Sequence, residues 1–311
     1  MLRDHWREFP RELSSIEEIP AVLRDPPSAH LAAPESLIHV YLVPQPRGFS
    51  DWFHDAPPRN TVFLLGPDQV VIARERPDGG ARVESCALQN VIAMEVGTIL
   101  LNSWLNLTVA DSHATQEYRL EYGTIFERTF RDSILWLRTL TGDGRPTPPH
   151  HQWRMPGEER IKTLPIKFNN ATRNYWLDGE SVLATCFIKP LSVSGRVIKR
   201  LRRTFSCATA LVVSDREVCV ITEQAMSGAG RWGQSWRFCP LSKIATLEIV
   251  DGQPFPHLLL SLCAKSAQAV DDQGAHPRCD ISVPFDPDQE SEIAHLIEIV
   301  AQCQKLARIV A

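Results

Sequence analysis

One block of sequence occurs twice in this chain of 311 residues. Residues 86–96 and 239–249 share a Cys-x-Leu start, an apolar centre and a Glu followed by Val or Ile, at a separation of 153 positions. The same separation relates residues 104–109 to residues 257–262 without a gap. Because a constant separation over such a distance indicates duplication of a whole structural unit, the fold must accommodate two copies of that unit.

The correspondence continues upstream with a small change of separation. Residues 65–72 match residues 213–220 at a separation of 148, as expected if loops of different length lie between the apolar segments. The length agrees with two domains of about 100–200 residues each. The 43% hydrophobic and 23% charged residues are typical of packed domains. The predicted organisation is an N-terminal helical and irregular segment (1–33), a first domain (34–142), a linker with a short helix (143–175) and a second domain (176–311).

Short apolar runs separated by turn residues fill both copies. Runs rich in Val, Leu and Ile and bounded by Ser, Asp or Gly favour strands over helices. Asp-Gly and Gly-rich turns at 77–80 and 227–230 supply the positive φ that tight turns need. We predict about seven strands in each copy and a short helix before each one, at 8–24 and 162–176. The clearest predicted strands are 37–43, 104–109, 118–122, 182–188, 208–213, 218–221, 258–262 and 280–285.

A C-terminal amphipathic helix is predicted at the end of each copy. Asp286 is a good N-cap, Pro287 suits the first helical position, and apolar residues then recur at helical spacing up to Val300. In the first copy Phe130 begins the equivalent apolar stripe, and Gly142 is a suitable stop. The predicted fold class is therefore mainly β with α.

A resemblance to bacterial pleckstrin-homology (PH)-like domains rests on three short motifs of the second copy. These are Gly179-Glu180 before the first strand, Ser-Asp-Arg-Glu at 214–217 in a turn, and Pro-Leu-Ser-Lys-Ile at 240–244. The first copy departs from them, with Pro34-Glu35 and with Gly-Pro-Asp at 66–68. The resemblance implies two tandem PH-like domains, each a bent antiparallel β-sandwich or barrel of about seven strands capped by a C-terminal helix.

Positive charge is concentrated between the first two predicted strands of the second copy. Residues 196–203 carry five basic side chains, and no Asp or Glu occurs between Glu180 and Asp215, although the net charge of the chain is −4. PH domains that bind phosphoinositides do so with basic residues in this connection, and the planar guanidinium group suits phosphate oxygens. The candidate anion, lipid or partner-binding residues are Lys189, Arg196, Lys199, Arg200, Arg202 and Arg203.

Three interpretations of this basic segment stay open. A solvated loop is the commonest outcome for such a run. An acidic protein or an anionic membrane is the next alternative, and nucleic acid is the least favoured. In the first copy the corresponding connection is not basic and instead carries Phe49, Trp52 and Phe53. These aromatic residues form either a partner contact or a lid folded onto the sandwich, and burial of large apolar side chains favours the lid.

Motifs for catalysis, metals and cofactors are weak or missing. Residues 228–233 spell Gly-x-Gly-x-x-Gly, but the following sequence indicates a strand, whereas a dinucleotide site requires a helix. The eight cysteines form no Cys-x-x-Cys pair and most lie in apolar runs, which indicates packing rather than metal binding. His150-His151 lacks further ligands at metal spacing, and the recurring Glu95 and Glu248 would be general bases only if they faced one cleft.

These patterns favour a non-enzymatic binding or scaffold protein without a cofactor, whose partner is a protein. Recruitment to an anionic membrane or a phosphoinositide-like headgroup through residues 196–203 is the alternative. An enzyme that acts between the two copies is the third interpretation. No apolar run reaches the roughly 18–20 residues that cross a bilayer, and the first 30 residues lack an apolar signal-peptide core. The expected location is the cytoplasm, with peripheral attachment to a membrane as the alternative.

Overall fold

The computed structural model describes residues 10–28, 36–44, 59–111, 114–142, 155–194, 202–224, 233–264 and 277–310. Antiparallel strands dominate and a helix ends the described chain, which confirms a mainly β fold with a C-terminal helix. The elements of the first half are β1 (Arg11–Glu12), α1 (Ala21–Ser28), β2 (His39–Pro44), β3 (Asn60–Leu65), β4 (Gln69–Glu75), β5 (Ala81–Ala87), β6 (Val91–Ile99), β7 (Asn102–Ala110), β8 (Thr115–Gly123) and α2 (Glu127–Thr141).

The second half begins after two short helices. The elements are α3 (Glu158–Ile161), α4 (Ile166–Asn174), β9 (Val182–Ile188), β10 (Leu191–Ser194), β11 (Arg202–Ser206), β12 (Thr209–Ser214), β13 (Glu217–Gln224), β14 (Gly233–Pro240), β15 (Ile244–Val250), β16 (His257–Cys263), β17 (Arg278–Pro284) and α5 (Glu290–Val310). All eight clearest predicted strands correspond to observed strands; the bounds of β9 are those predicted, and the ends of the other seven differ by one to three residues.

Both halves follow the same order of elements. In the first half, β2 to β5 pair in sequence, β6 to β8 pair in sequence, and α2 follows. In the second half, β9, β12, β13 and β14 pair in sequence, β15 to β17 pair in sequence, and α5 follows. The β10–β11 hairpin is inserted between β9 and β12 and was not predicted. It corrects the prediction of a plain loop in this connection.

The similarity of the two halves extends to irregular details of the backbone. A 3₁₀ turn occupies Leu88–Asn90 in the first half and Leu241–Lys243 in the second, at the separation of 153. The next strand in each half then shows the same shift of register, at Val91/Ala93 in β6 and at Ile244/Thr246 in β15. β6 and β15 are thus equivalent in backbone geometry as well as in sequence.

The two halves share one continuous sheet. β6 of the first half pairs antiparallel with β14 of the second half, giving the strand order β8-β7-β6-β14-β13-β12-β9. Arg237 of β14 forms an ion pair with Glu95, which lies directly opposite on β6. A Cβ atom at Gly233 would lie 2.4 Å from the carbonyl oxygen of Thr98, so glycine permits the close approach of the two strands here. We call this β6–β14 contact the seam.

The hydrophobic core also crosses between the halves. The largest cluster of buried side chains combines Tyr41 and Phe130 of the first half with Trp236 of the second. The indole N–H of Trp236 donates to the carbonyl oxygen of Ala171 in α4 at 2.9 Å, so the linker helix is held against the same core. A second cluster lies between β15–β17, α5 and the seven-stranded sheet, and a third lies beneath α1.

The short helices before each copy differ from the prediction in extent. The helix expected at 8–24 is reduced to a 3₁₀ turn at Ile16–Glu18 and to α1. Pro20 lies directly before α1, and proline is tolerated at a helix start but not inside a helix. α4 lies within the range predicted for the second helix and likewise begins directly after a proline, Pro165.

A buried ionic cluster fixes α2 to the second half. The guanidinium group of Arg138 in α2 donates to Glu180 at 2.9 Å and to Glu217 of β13 at 3.0 Å, and also to the backbone carbonyl of Tyr175. It lies 4.4 Å from the ring centroid of Phe238, and all three charged side chains are almost completely buried. One cation is therefore the shared counter-charge of two carboxylates in a buried site.

Replacing Arg138 by Met is expected to lower the free energy of unfolding by about 3–5 kcal/mol, because two buried carboxylates lose their counter-charge. Urea unfolding of the full chain measures the loss. Arg76→Met is the matched control, since Arg76 and Asp78 form a surface pair in which both side chains are more than half exposed. This control should change the free energy of unfolding by less than about 1 kcal/mol. Equal effects of the two substitutions would contradict the assignment.

The ionic cluster also predicts a pH dependence of stability. Burial raises the pKa of Glu217 to about 7, against the attraction of Arg138, and the carboxylate of Glu180 adds to the rise. Between the ordinary value of 4.5 and about 7, the folded protein holds a proton that the unfolded chain has released. The resulting stability is complete below this window and is lost as the pH rises through it.

Glu217→Gln should therefore flatten the pH profile of the free energy of unfolding between pH 4.5 and 7. The wild-type profile is expected to fall by up to roughly 1.4 kcal/mol per pH unit more steeply than the profile of the variant. Glu121→Gln, at an exposed ion pair with Arg119, is the control and should leave the slope unchanged. A Glu217→Gln profile parallel to that of the wild type would argue against protonation of this carboxyl.

Candidate binding surface at one end of the sheet

Several connections meet at one end of the seven-stranded sheet. Antiparallel pairing brings the β6–β7 turn, the last residue of β8 and the first residue of β14 to this end. The end of β13, the start of β12 and the end of β9 lie beside them. Four strand spacings, or ~19 Å, separate the end of β6 from the end of β9. The ionic cluster lies towards the opposite end of the same sheet, beside Glu217 at the start of β13.

The β6–β7 turn presents two leucines to solvent. Ile99 pairs with Asn102, so Leu100 and Leu101 are the two residues of a tight hairpin turn. Their side chains are 55% and 79% exposed, and Leu100 has φ of 52°. Glycine is favoured at the first position of such turns when φ is positive, and a bulky residue there costs about 1–2 kcal/mol. The positive φ of Leu100 therefore lowers the stability of the turn, and both leucine side chains remain exposed to water.

Two further exposed apolar residues belong to segments at this end. Ile166 is 80% exposed at the start of α4, where the adjacent Lys167 donates to Glu223 near the end of β13 at 3.1 Å. Phe205 of β11 is 40% exposed and contacts Phe255, with ring centroids 5.4 Å apart. Four of the five exposed large apolar side chains in the described part of the chain thus lie at or near this end.

The predicted basic segment is attached to the same end. Lys189 follows β9 directly and is exposed. The backbones of Arg202 and Arg203 lie in β11, opposite Ser194 and Val193 of β10, so these two residues are on a strand rather than in a loop. The other predicted basic residues lie outside the described residues: Arg196, Lys199 and Arg200. We define the sheet-end surface as Leu100, Leu101, Ile166, Lys189 and Phe205.

Other candidates from the sequence lie outside the described residues. They are the aromatic residues Phe49, Trp52 and Phe53, the pair His150-His151, and the first two glycines of the Gly-x-Gly-x-x-Gly sequence. The third glycine, Gly233, begins strand β14 and packs at the seam, so the element after this sequence is a strand as predicted.

The recurring glutamates do not face one cleft. Glu95 pairs with Arg237 across the seam and accepts a hydrogen bond from the indole N–H of Trp104 at 3.2 Å. Glu248 is exposed on β15. Their recurrence reflects the shared strand rather than a shared pocket.

The cysteines are free, and six of the eight pack within the apolar clusters. Cys86, Cys186, Cys219 and Cys239 are buried, and the other four are partly buried. Burial raises the pKa of Cys86 to about 11 and the pKa of Cys186 to about 12, so both are thiols at neutral pH. No group of three or more potential metal ligands occurs among the residues described.

A hydrogen-bonded chain of polar side chains lies near the N-terminal segment. Nδ1 of His39 is 2.7 Å from Glu12, the hydroxyl of Tyr41 lies 3.3 Å from the same nitrogen, and Ser133 donates to that hydroxyl at 3.1 Å. In a carboxylate–histidine pair the second ring nitrogen is the one that meets a substrate, and Nε2 of His39 is buried. This series of hydrogen bonds instead connects β1, β2 and α2.

The sequence missed the Leu100–Leu101 turn. In the sequence these residues continue an apolar run from β6, and no neighbouring residue indicates that the strand ends before them. Comparison of the two similar halves could have indicated the turn, because the residues 153 positions later are Gln253 and Pro254, which are polar or turn-forming. The second copy thus lacks the exposed leucine pair.

No family model, no curated protein and no solved structure matches this chain. Among the helices described, none is both long and apolar enough to cross a membrane.

Leu100→Gly is expected to raise the free energy of unfolding by about 0.5–1 kcal/mol, because glycine adopts positive φ without strain. Urea unfolding of the full chain measures the change. Leu101→Gly is the matched control, since Leu101 is equally a turn leucine but does not have positive φ. It should lower the free energy of unfolding by roughly 0.5–1 kcal/mol. A loss of stability in both variants would show that Leu100 is not strained.

Proposed function

We propose that this chain is a non-enzymatic binding protein composed of two tandem PH-like domains, residues 34–142 and 176–311. The repeated order of a four-stranded meander, a three-stranded meander and a helix supports the assignment in both halves. The second copy adds contacts between its motifs. Glu180 and Glu217 share Arg138, and Oδ1 of Asp215 accepts a hydrogen bond from the backbone N–H of Ser181 at 3.0 Å.

We further propose that the sheet-end surface binds a protein partner. The observation that carries this proposal is the Leu100–Leu101 turn, which keeps two large apolar side chains exposed at a cost in backbone strain. Strained residues persist where function requires them, and clustered exposed apolar side chains mark binding sites. Ile166 and Phe205 are further exposed apolar side chains in segments at this end of the sheet, and Lys189 is an exposed cation there.

A double variant separates binding from folding. Leu100→Gly with Leu101→Ser removes the apolar turn and keeps the hairpin, and Leu306→Ser removes an equally exposed leucine of α5 that lies elsewhere. Proteins captured from native cells by the wild type and by Leu306→Ser, but not by the double variant, are candidate partners. A candidate is then purified and titrated against all three forms. The double variant should bind it at least tenfold more weakly, as expected for loss of a central apolar contact. Unchanged affinity in the double variant would refute the surface.

Binding to an anionic membrane is the second candidate function. Its specific support is that Lys189 and the strand with Arg202 and Arg203 extend from the same sheet end as the exposed leucines. Apolar side chains next to basic ones are the combination that binds the surface of an anionic bilayer. In this case the protein would be peripheral at a membrane, whereas a protein partner requires only the expected cytoplasmic location.

Vesicle sedimentation distinguishes the two functions. Wild type, the Leu100→Gly/Leu101→Ser variant and an Arg200→Glu/Arg202→Glu/Arg203→Glu variant are mixed with phosphatidylcholine vesicles, with or without phosphatidylserine. Membrane binding predicts that only the wild type sediments with anionic vesicles, and that salt weakens this binding. Equal recovery of all three proteins in the supernatants would eliminate the membrane and leave the protein partner.

A further inference from the structure

Within the described residues, one strand lacks the second partner that its equivalent in the other half has. β6 pairs with β7 on one side and with β14 on the other. In the part of the chain that the structure describes, β15 pairs with β16 alone. The shift of register at the start of both strands is the same, and β6 pairs with β14 from Met94 onwards, beyond this shift. From Leu247, the equivalent of Met94, the second side of β15 therefore has the backbone geometry that accepts a strand in β6.

The composition of β15 does not protect this free side. Edge strands normally avoid pairing by means of lysine, proline or inward charges. The sequence of β15 is Ile-Ala-Thr-Leu-Glu-Ile-Val, with Glu248 as its single charge. Ala245, Thr246 and Glu248 are exposed, while Leu247 and Ile249 face the core and are only partly buried. A further strand would complete the burial of the two apolar side chains.

Charge disfavours a head-to-tail contact between two molecules in which β5 of one pairs with β15 of the other, as β14 pairs with β6 at the seam. In the seam, Arg237 of β14 lies opposite Glu95 of β6. The positions equivalent to these at the separation of 153 are Glu84 of β5 and Glu248 of β15. A second chain whose β5 docked on β15 in this register would thus place two carboxylates opposite each other, which is destabilising. Such contacts would also continue from chain to chain without closing.

We propose that β15 pairs antiparallel with β15 of a second copy of this chain, about a two-fold axis at Leu247. In this register the part of β15 from Leu247 to Val250, which lies beyond the register shift, faces the first half of β15 in the second copy. Leu247 meets its own copy on the core side, Ile249 meets Ala245, and Glu248 meets Thr246, so no like charges are opposed. The two three-stranded sheets join into one sheet of six strands, and the two-fold symmetry closes the assembly as a dimer.

The mass of the purified full chain in solution tests this dimer. Light scattering or sedimentation velocity over the micromolar range should give twice the 35.0 kDa of one chain. A mass of one chain at every concentration would overturn the proposal.

Opposite substitutions at Thr246 test the register. Because Thr246 is exposed and meets Glu248 of the second copy, Thr246→Glu should weaken the dimer about tenfold and Thr246→Lys should strengthen it. Thr115→Glu is the matched control, since Thr115 is an exposed threonine on the edge strand β8 and should leave the dimer unchanged. Dissociation by Thr115→Glu alone, or no difference between the two Thr246 variants, would place the interface elsewhere. Binding to the sheet-end surface is measured independently, so either proposal can fail without the other.

Discussion

Arg138 joins the two halves of the chain through a buried ionic cluster. Its guanidinium group lies on the last helix of the first half and meets a carboxylate from the entry to β9 and another from the start of β13. The Tyr175 carbonyl and the Phe238 ring complete its surroundings, so the linker and two strands of the second half converge on a single side chain. Without this cation, the same burial would place two negative charges together, and the packing of α2 against β13 would be unfavourable.

One cation faces two carboxylates in this buried site, which leaves an excess of negative charge. Here the fixed guanidinium group fills the space between the carboxyls and donates to both. The raised pKa of Glu217 is therefore a property of folding, since its effect is on stability as a function of pH. Its equivalent in the first half is Gln69, which carries no charge.

Much of the local structure could be predicted from the sequence, because alternation and turn residues act over a few positions. β9 was predicted with its observed bounds, and the Asp286 cap is formed, with Oδ1 accepting from the N–H of Asp288. The seam could not be predicted, because β6 and β15 have the same pattern and only the tertiary arrangement decides which one receives β14. The β10–β11 hairpin was missed for a related reason: its strands are short and polar, and they pair with each other rather than with a core sheet.

The residues of the candidate surface and of the ionic cluster also differ in how far they could be predicted from local sequence. The basic residues were visible as a run of charge, whereas Glu180 and Glu217 were visible only as members of turn motifs, and Leu100 and Leu101 only as the end of an apolar run. Exposure and positive φ are properties of the folded chain, and both are needed to distinguish a binding turn from a core strand.

The edges of the two similar halves differ in their charges. Strands of the same pattern can pair within a chain or between chains. At the seam Arg237 complements Glu95, while Glu84 occupies the matching position on β5 and is paired with Arg74 and Arg82 within its own sheet. β5 therefore lacks the arginine that would pair with Glu248 in a head-to-tail contact between molecules. An open polymer is disfavoured, and in the described part of the chain the second side of β15 is an edge on which the proposed closed contact is compatible with the charges.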